Sequence, residues 1–562
     1  MYAYNDREGA YMHANDARPI MVGTDDFNKI RDSGGYYVDK TALIDDIIRS
    51  ESEVYLFTRP RRFGKSLNLS MIDSYFNIEY AGRSDRFMGL RISELRPKDP
   101  DKNSYPVVHF SMKDLSSSDY EGYLEAVRQK VSILYKSFRM LETSDLQNPD
   151  DVRLFHRAVS CESTEVELKF SLFNLTRMLE AEYRRPVIVL IDEYDNAVNE
   201  ASSERQRKEI LGFMSVFLSA ALKSNKSLKF AVLTGVMQIA KANIFSGLNN
   251  LYSDSVFDTG FQEYWGFTED EVKILCTEYG RPEKFHEAKD WYDGYRFGTV
   301  DVYNPWSVLN YVKRGFVPKE YWAESSSNSI LNRLYRNVNI GNFEQILELL
   351  DGRSFETSLK TSMTYDVVSD DDRSMYSLMA VTGYLKAVHV SGKVFELSFP
   401  NREVKTIMAD TVDEMMLPTN DAEFGRFCTA VIEGRTDEME SILGRILVQG
   451  SYWNLTDERS YELILMTVLF SIASQYRIRT EQEGGNGRID IIMEPRANRR
   501  AGIIIELKKV DSEAELERAA DEAIVQIHDR KYYLGMKGTV LLYGISFCGK
   551  IPCMKHERLE LC

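Results

Sequence analysis

The sequence predicts an α/β protein whose first half is built around a mostly parallel sheet. Four apolar runs have the length and composition of buried strands, and stretches with helical periodicity separate them. This alternation is typical of a parallel sheet with helices on both faces. The strand-like runs cover residues 54–57, 106–110, 186–191 and 228–234, and the helical stretches include 66–80 and 205–224. Because ligands bind at the carboxyl ends of such strands, the residues that follow them are candidates for chemistry.

The first strand-like run leads into a phosphate-binding sequence that contains Gly64, Lys65 and Ser66. Such a loop directs backbone N–H groups at phosphate oxygens, while the lysine reaches the β- and γ-phosphates and the hydroxyl binds Mg²⁺. The general pattern begins with a glycine where Arg59 stands, so the motif is weaker when it is taken alone. We predict ATP as the ligand. The predicted contacts in this loop are Arg59, Arg61, Arg62, Gly64, Lys65 and Ser66.

The third strand-like run ends in two carboxylates, Asp192 and Glu193. This is the Walker B arrangement, in which Asp192 holds Mg²⁺, directly or through water, and Glu193 polarises the attacking water. Thr234, at the end of the fourth run, is either a sensor of the nucleotide or a strand-terminal residue in a turn. The alternative for both motifs is a surface turn at Gly64 and a helix N-cap at Asp192. Two loops that each follow an apolar strand would then agree by accident.

At these residues the chain resembles the bacterial and archaeal AAA-ATPase-like proteins that carry a C-terminal PD-(D/E)xK nuclease-like domain. The resemblance covers most of the length, and in that family the Arg-Pro-Arg-Arg-Phe-Gly-Lys form of the loop is usual. It implies an ATP-binding module related to AAA+ and STAND-type ATPases, with a helical middle region and a restriction-endonuclease-like C-terminal domain. Further matching segments are residues 37–41, 234–236, 245–251, 303–307 and 378–385.

A second constellation lies near the C-terminus, where a polar turn joins two apolar strand-like segments. Asp490 lies in the first segment, and Glu506 and Lys508 lie in the second. Since side chains alternate across a strand, Glu506 and Lys508 share a face, and a hairpin brings Asp490 beside them. This is the arrangement of a PD-(D/E)xK nuclease, in which the two carboxylates bind Mg²⁺ or Mn²⁺ and the lysine positions or deprotonates water. The alternative is a surface hairpin with an internal ion pair, but carboxylates within apolar strands are costly to bury without a metal or a partner.

Residues around the hairpin extend this predicted site. Glu462, in a helical segment over 461–475, is either a further metal ligand or a first-turn glutamate interacting with the helix dipole. Gln526 resembles the glutamine that lies near the active site in the family. A basic cluster is either a contact for a phosphate backbone or a solvated face. Its members are Arg488, Arg496, Arg499, Arg500, Lys508 and Lys509.

Composition limits the class of protein. The chain has 562 residues, with 43% hydrophobic and 28% charged, so we expect a globular protein of several domains. It shows neither a signal-peptide pattern nor an apolar segment of membrane length, which predicts a cytoplasmic protein with no membrane partner. The net charge of −16 excludes coating of nucleic acid through the overall field, but is compatible with a local basic site.

Six scattered cysteines predict reduced thiols rather than a disulfide framework. Four of the residues near the C-terminus have side chains that bind zinc in other proteins, although their spacings miss the common Cys-x₂-Cys form. These four residues are Cys548, Cys553, His556 and Cys562.

We predict three domains: an AAA-ATPase-like P-loop domain over 1–266, a mostly helical lid or connector over 267–450, and a PD-(D/E)xK nuclease-like domain over 451–562. The expected function is ATP-regulated, metal-dependent cleavage of nucleic acid, with DNA as the expected substrate and Mg²⁺ or Mn²⁺ at the nuclease site. The rival from another class is an ATP-dependent switch or scaffold whose nuclease-like domain only binds nucleic acid or a protein. The complete set of Asp490, Glu506 and Lys508 favours the enzyme.

Overall fold

The apolar runs of the first half form a five-stranded parallel sheet in the computed structural model of this protein. β4 lies between β1 and β3 in the strand order β2-β3-β4-β1-β5, and every pairing is parallel. β1 and β3 are buried along their whole length, as expected for strands covered by helices on both faces. The loops after β1, β3 and β4 therefore meet at one edge of the sheet. The strands are β1 (Val54–Thr58), β2 (Val107–Ser111), β3 (Val187–Asp192), β4 (Leu228–Gly235) and β5 (Leu251–Asp254).

The structure groups the residues that it describes into two compact units. The first contains residues up to 322 and residues 345–407, and the second contains the residues from 408 onward. The segment predicted as a connector, 267–450, is thus divided between them, and the three-domain division stays a prediction. The described residues are 18–83, 85–238, 250–322, 345–346, 348–361, 372–416, 421–449, 458–470, 472, 475–484, 487–495 and 500–561.

Helices follow the strands of the first half, as the alternation predicted. The helix after β1 begins at Lys65, and its N-cap Gly64 has a φ of 80°, which glycine adopts without the steric cost of a Cβ. In chain order the helices up to residue 313 are α1 (Phe27–Asp32), α2 (Ala42–Ser50), α3 (Lys65–Phe76), α4 (Arg91–Leu95), α5 (Tyr120–Lys136), α6 (Pro149–Val159), α7 (Glu165–Lys169), α8 (Ser171–Tyr183), α9 (Asn196–Asn199), α10 (Glu204–Leu222), α11 (Glu269–Glu278), α12 (Phe285–Tyr292) and α13 (Pro305–Lys313).

The predominantly helical middle region also contains two small antiparallel sheets. β6 pairs with β7, and β10 lies between β8 and β9. These strands have three to six residues, too few for a clear period-two pattern in the sequence. They are β6 (Tyr295–Phe297), β7 (Val300–Val302), β8 (Phe355–Ser358), β9 (Lys386–Ser391) and β10 (Val394–Ser398), with α14 (Asp372–Thr382) before β9 and α15 (Arg402–Met416) after β10.

The C-terminal unit is a mixed five-stranded sheet with helices, and it contains the predicted hairpin. β12 and β13 pair antiparallel with Ile491 opposite Ile505, whereas β13 and β14 are parallel and joined through α19. The strand order is β11-β12-β13-β14-β15. The elements are α16 (Asp421–Glu433), α17 (Thr436–Gln449), α18 (Glu458–Phe470), β11 (Tyr476–Gly484), β12 (Gly487–Pro495), β13 (Gly502–Lys509), α19 (Leu516–Arg530), β14 (Gly538–Cys548) and β15 (Ile551–Leu561).

In the part of the chain that the structure describes, no α-helix combines the length and the apolar character needed to cross a bilayer.

A buried carboxylate lies near the start of α15. Glu403 has no exposed surface and accepts hydrogen bonds from Ser307 Oγ at 2.9 Å and from the backbone N–H of Trp322 at 2.9 Å. Burial disfavours the charged form and raises the pKa of Glu403 from 4.5 to about 8. The folded protein therefore holds a proton on this side chain at neutral pH.

We expect Glu403 to make the protein less stable as the pH rises from 4.5 to about 8. Below this interval the carboxyl is protonated in both the folded and the unfolded chain, whereas within it only the folded chain retains the proton. Each pH unit in the interval then removes about 1.4 kcal/mol from the free energy of unfolding. Glu403→Gln is expected to flatten this slope in urea-unfolding curves measured across the interval. The exposed Glu200→Gln serves as the control, and a slope unchanged by Glu403→Gln would contradict the assignment.

Candidate functional site

The loop between β1 and α3 curves around the side chain of Lys65. The Nζ atom donates hydrogen bonds to the carbonyl oxygens of Arg59 at 2.8 Å and Pro60 at 2.7 Å. Burial lowers the pKa of the Lys65 ammonium to about 8, and nearby carboxylates, first among them Asp192, oppose this shift. The cation lies at the N-terminus of α3, where unsatisfied N–H groups and the helix dipole favour an anion.

The carboxylate of Asp192 joins the ends of three elements. Its Oδ2 accepts a hydrogen bond from Ser66 Oγ at 2.5 Å, and its Oδ1 accepts one from Thr234 Oγ1 at 2.5 Å. These contacts are possible because β4 lies between β1 and β3 in the sheet. The structure thus brings Ser66, Asp192 and Thr234 to one point at the carboxyl edge, beside Lys65.

Glu193 follows β3 in an uncommon backbone conformation. Its φ of 51° is in the left-handed region, which residues other than glycine, asparagine and aspartate seldom adopt. Burial, followed by the charge of Asp192, raises the pKa of the Glu193 carboxyl. A conformation of this kind beside a cavity is typical of functional sites.

Asp195 is a site residue to which the sequence analysis assigned no role. Its buried carboxylate accepts hydrogen bonds from the backbone N–H groups of Val236 at 3.1 Å and Met237 at 2.9 Å. A Cβ atom at Gly235 would come within 2.6 Å of Asp195 Oδ1, so glycine permits this close approach. Asp195 therefore fixes the segment after β4 against the acidic end of β3. Its place three residues after Asp192 was the available signal, but its acceptors became evident only from the neighbouring strand.

The loop and the acidic pair line a cavity of about 700 Å³, within the range of small-molecule sites. Its polar part offers a lysine ammonium, a hydroxyl and carboxylates, which suit a phosphate group with a divalent cation. Its apolar part includes the Trp306 ring, over which the Arg62 guanidinium lies at 4.2 Å. The predicted residues in the lining are Arg61, Arg62, Gly64, Lys65, Ser66, Asp192 and Glu193, and the apolar lining includes Ile20, Val22, Phe267, Trp306 and Leu309.

The predicted nucleotide contact of the Arg59 side chain is corrected by the structure. The guanidinium is fully buried, forms an ion pair with Asp254 and does not line the cavity. It also donates to the Asp254 carbonyl oxygen at 3.0 Å and lies 5.2 Å from the Phe297 ring centroid. Arg59 therefore anchors the loop to β5 with its side chain and holds Lys65 with its carbonyl oxygen. The sequence did not reveal this role because Asp254 is 195 residues away.

We expect removal of one partner of this buried pair to destabilise the first unit strongly. Asp254→Ala leaves the Arg59 cation without its carboxylate, at an expected cost of about 3–5 kcal/mol in the free energy of unfolding. The double variant Arg59→Met with Asp254→Leu removes both charges and should recover most of the loss. Glu209→Ala, in the exposed pair with Arg205, is the control with an expected cost of about 0.3–0.5 kcal/mol. Equal urea-unfolding midpoints for Asp254→Ala and this control would refute the anchoring role.

In the C-terminal unit, β12 and β13 bring the predicted nuclease residues together. Lys508 Nζ lies 3.1 Å from Glu506 Oε1, and Asp490 Oδ2 accepts a hydrogen bond from the Leu507 backbone N–H at 2.7 Å. Gln526 also donates from Nε2 to Glu506 Oε1. Burial, then the charge of Asp490, raises the pKa of Glu506 to about 7.

Glu506 has a buried oxygen that suits a cation. The residue is 2% exposed, and its Oε2 has no hydrogen-bond partner among the described residues. A buried carboxylate oxygen in this state carries a substantial free-energy cost unless a cation or donor satisfies it. A hard divalent cation such as Mg²⁺ prefers oxygen ligands and is often held by one or two carboxylates together with substrate phosphates. Asp490 and Glu506 match that donor set.

Glu462 differs from both alternatives given by the sequence. The first turn of α18 contains Glu458, so Glu462 is one turn further into the helix, where it is buried. Glu458 Oε1 accepts a hydrogen bond from the Lys509 backbone N–H at 3.1 Å. The residues described by the structure contain no group of three or more His, Cys, Asp or Glu side chains positioned to hold a metal ion. Glu462 therefore does not complete a three-carboxylate site with Asp490 and Glu506.

The basic cluster is only partly described. Arg500 is exposed and donates to the side chain of Gln475, and Lys509 lies 3.6 Å from Asp511. Arg496 and Arg499 lie outside the described residues, as does the side chain of Arg488. The cluster therefore stays a predicted contact for a phosphate backbone.

The C-terminal cysteines and histidine are spread over a β-hairpin. Cys553 is opposite Ser546 in the β14–β15 pairing, and His556 is opposite Tyr543, on whose ring it stacks. Because Cys553 and His556 are three residues apart on one strand, their side chains point to opposite faces. They cannot share one zinc ion, and Cys562 lies outside the described residues.

Comparisons with known proteins match both sites to families. Residues 21–245 match the AAA-ATPase-like family model, described as a predicted AAA-ATPase, and this range includes Lys65, Asp192 and Thr234. Residues 456–557 match the PD-(D/E)XK nuclease superfamily, and this range includes Asp490 and Glu506. A curated relative is an uncharacterized protein in the vnfD 5′ region of Azotobacter chroococcum mcd 1. It is 27% identical over 412 residues, which are 71% of this chain and 71% of the relative.

Proposed function

Because this chain carries an AAA-ATPase-like domain followed by a PD-(D/E)XK nuclease-superfamily domain, we propose that it binds and hydrolyses ATP and cleaves DNA in the cytoplasm. The observation that carries the proposal is that each domain has an intact lysine and carboxylate set in contact through described hydrogen bonds. In the first domain, Lys65 lies beside Asp192, which bonds Ser66. In the second, Lys508 contacts Glu506 next to Asp490.

In the ATPase domain, the residues fit a nucleotide with its divalent cation. Bound Mg²⁺ supplies neutralisation of phosphate charge there. Ser66 and Asp192 would hold the ion, and Lys65 would contact the phosphates with the N-terminus of α3. The raised pKa of Glu193 suits a residue that orients water and accepts its proton. Thr234 keeps Asp192 in place through the hydrogen bond to Oδ1.

In the nuclease domain, Asp490 and Glu506 would hold Mg²⁺ or Mn²⁺. A cation there supplies Lewis-acid polarisation of a phosphodiester oxygen. Lys508 lies on the same face as Glu506, where its ammonium offsets negative charge that develops on the phosphate. Gln526 donates to Glu506 Oε1 and so orients the carboxylate, leaving Oε2 for the cation.

We expect Lys65→Ala to weaken ATP binding by at least about tenfold, because it removes charge-assisted contacts worth roughly 1.5–3 kcal/mol. Calorimetric titration of ATP with Mg²⁺ measures the loss, and Lys223→Ala, at an exposed lysine outside the cavity, is the control. Glu193→Gln separates binding from turnover, since it should retain ATP while phosphate release slows. Equal ATP affinity for Lys65→Ala and the wild type would remove the nucleotide site.

We expect Asp490→Ala and Glu506→Gln to abolish DNA cleavage and to preserve DNA binding. Loss of one group that stabilises the reacting phosphate lowers the rate by about a hundredfold or more. The measurement uses linear, circular and single-stranded DNA with Mg²⁺ or Mn²⁺, with and without ATP. Asp511→Asn is the control because its carboxylate is 97% exposed. If the wild type fails to cut under every condition, or if both variants cut at the wild-type rate, the ATP-dependent switch replaces the nuclease.

A further inference from the structure

We infer that a cavity beside the nuclease centre binds the base of one unpaired nucleotide next to the phosphate that is cleaved. This inference rests on the nuclease function proposed above and names the form of substrate that the site takes. The cavity has a volume of about 420 Å³ and belongs wholly to the C-terminal unit. Its walls come from β11, β12, the first residue of β13 and the segment that follows α19.

The side chain of Tyr532 connects the cavity to the nuclease carboxylates. Tyr532 lines the cavity, and its hydroxyl oxygen accepts a hydrogen bond from Gln526 Nε2 at 3.3 Å. The same Gln526 amide donates to Glu506 Oε1. Two hydrogen bonds thus separate the cavity wall from the proposed metal ligand. The negative charges of Glu506 and Asp490 also act on the Tyr532 hydroxyl, which confirms that it is close to both carboxylates.

The lining suits a flat, largely apolar ring with a charged attachment. Ile489, Ile492 and Met536 provide aliphatic surface beside the Tyr532 ring. Stacking of bases on aromatic rings is a common mode of single-strand binding and tolerates any sequence. The volume falls within the range of small-ligand sites, which is ample for a base with its sugar.

Charged side chains in the lining provide for the phosphates that accompany a base. Lys537 lines the cavity and is exposed, and Arg479 lines it while paired with Glu494. Cations at such positions attract the phosphate backbone, although the whole chain is acidic. Because the cations accompany the apolar walls, a nucleotide fits the lining better than a hydrophobic peptide does.

A base inside a duplex is stacked and paired, so it cannot enter a concave cavity without leaving the helix. The geometry therefore favours single strands, frayed ends and unpaired nucleotides over intact duplex. Phosphate contacts alone do not separate these substrates, because both single and double strands present them.

Leu534→Trp tests the inference in the full-length protein. Leu534 lines the cavity and is 63% exposed, so the larger side chain should fill the cavity without disturbing the core. The control is Ile551→Trp, at a 44% exposed residue that does not line the cavity. Binding is measured by fluorescence anisotropy in an Asp490→Ala background, with labelled oligothymidylate, the same strand carrying an abasic position, and a blunt duplex as probes.

We expect Leu534→Trp to weaken oligothymidylate binding by roughly 5- to 150-fold, the loss of one base stack, and to leave duplex binding unchanged. An abasic position at the cavity should weaken binding to the protein with Leu534 and have no added effect on Leu534→Trp. Cleavage of single strands in the Asp490-containing protein should fall in parallel. If Leu534→Trp binds and cuts single strands like Ile551→Trp while Asp490→Ala stays inactive, the base site is refuted and the nuclease stands. If Asp490→Ala cuts normally, the nuclease itself fails.

Discussion

The hydrogen bonds of the Asp192 carboxylate are the constraint on which the nucleotide-binding edge depends. One oxygen is bonded by the first helical turn after β1, and the other by the last residues of β4. This works only in the observed strand order, in which β4 separates the loop-bearing strand from the acidic strand. The carboxylate sits between a hydroxyl on each side, so its position reports on both neighbouring strands. A shift of either strand end would change the ligand geometry available to a cation.

Much of this arrangement could be predicted because it depends on local sequence. Buried parallel strands are continuous apolar runs, and the polar residues that end them stand out against that background. Lys65, Asp192 and Thr234 were found in this way. In the C-terminal unit the two-residue alternation of a strand placed Glu506 and Lys508 on one face, and the β12–β13 pairing confirmed that hairpin.

The sequence could not supply contacts that depend on distant pairing. Asp254 has no motif around it, and Arg59 was assigned to phosphate because it lies in the binding loop. Burial decides the matter, since a guanidinium enclosed with a carboxylate has no access to a ligand. The position of Glu462 was ambiguous for a similar reason, because a shift of one turn in the start of a helix changes which glutamate lies in its first turn. Tyr532 was noted in a family-like segment, yet its place in a cavity wall became evident only from the fold.

The separation between Arg59 and Asp254 has a consequence for synthesis of the protein on the ribosome. Folding proceeds as the chain emerges, and a contact cannot form before its second partner leaves the exit tunnel. The carbonyl oxygens that hold Lys65 belong to a loop whose anchor arrives 195 residues later. A nascent chain that has already exposed the whole glycine-lysine-serine motif therefore still lacks the anchored loop. Nucleotide capture is then delayed until β5 joins the sheet, so the first unit must close before its ligand can stabilise it.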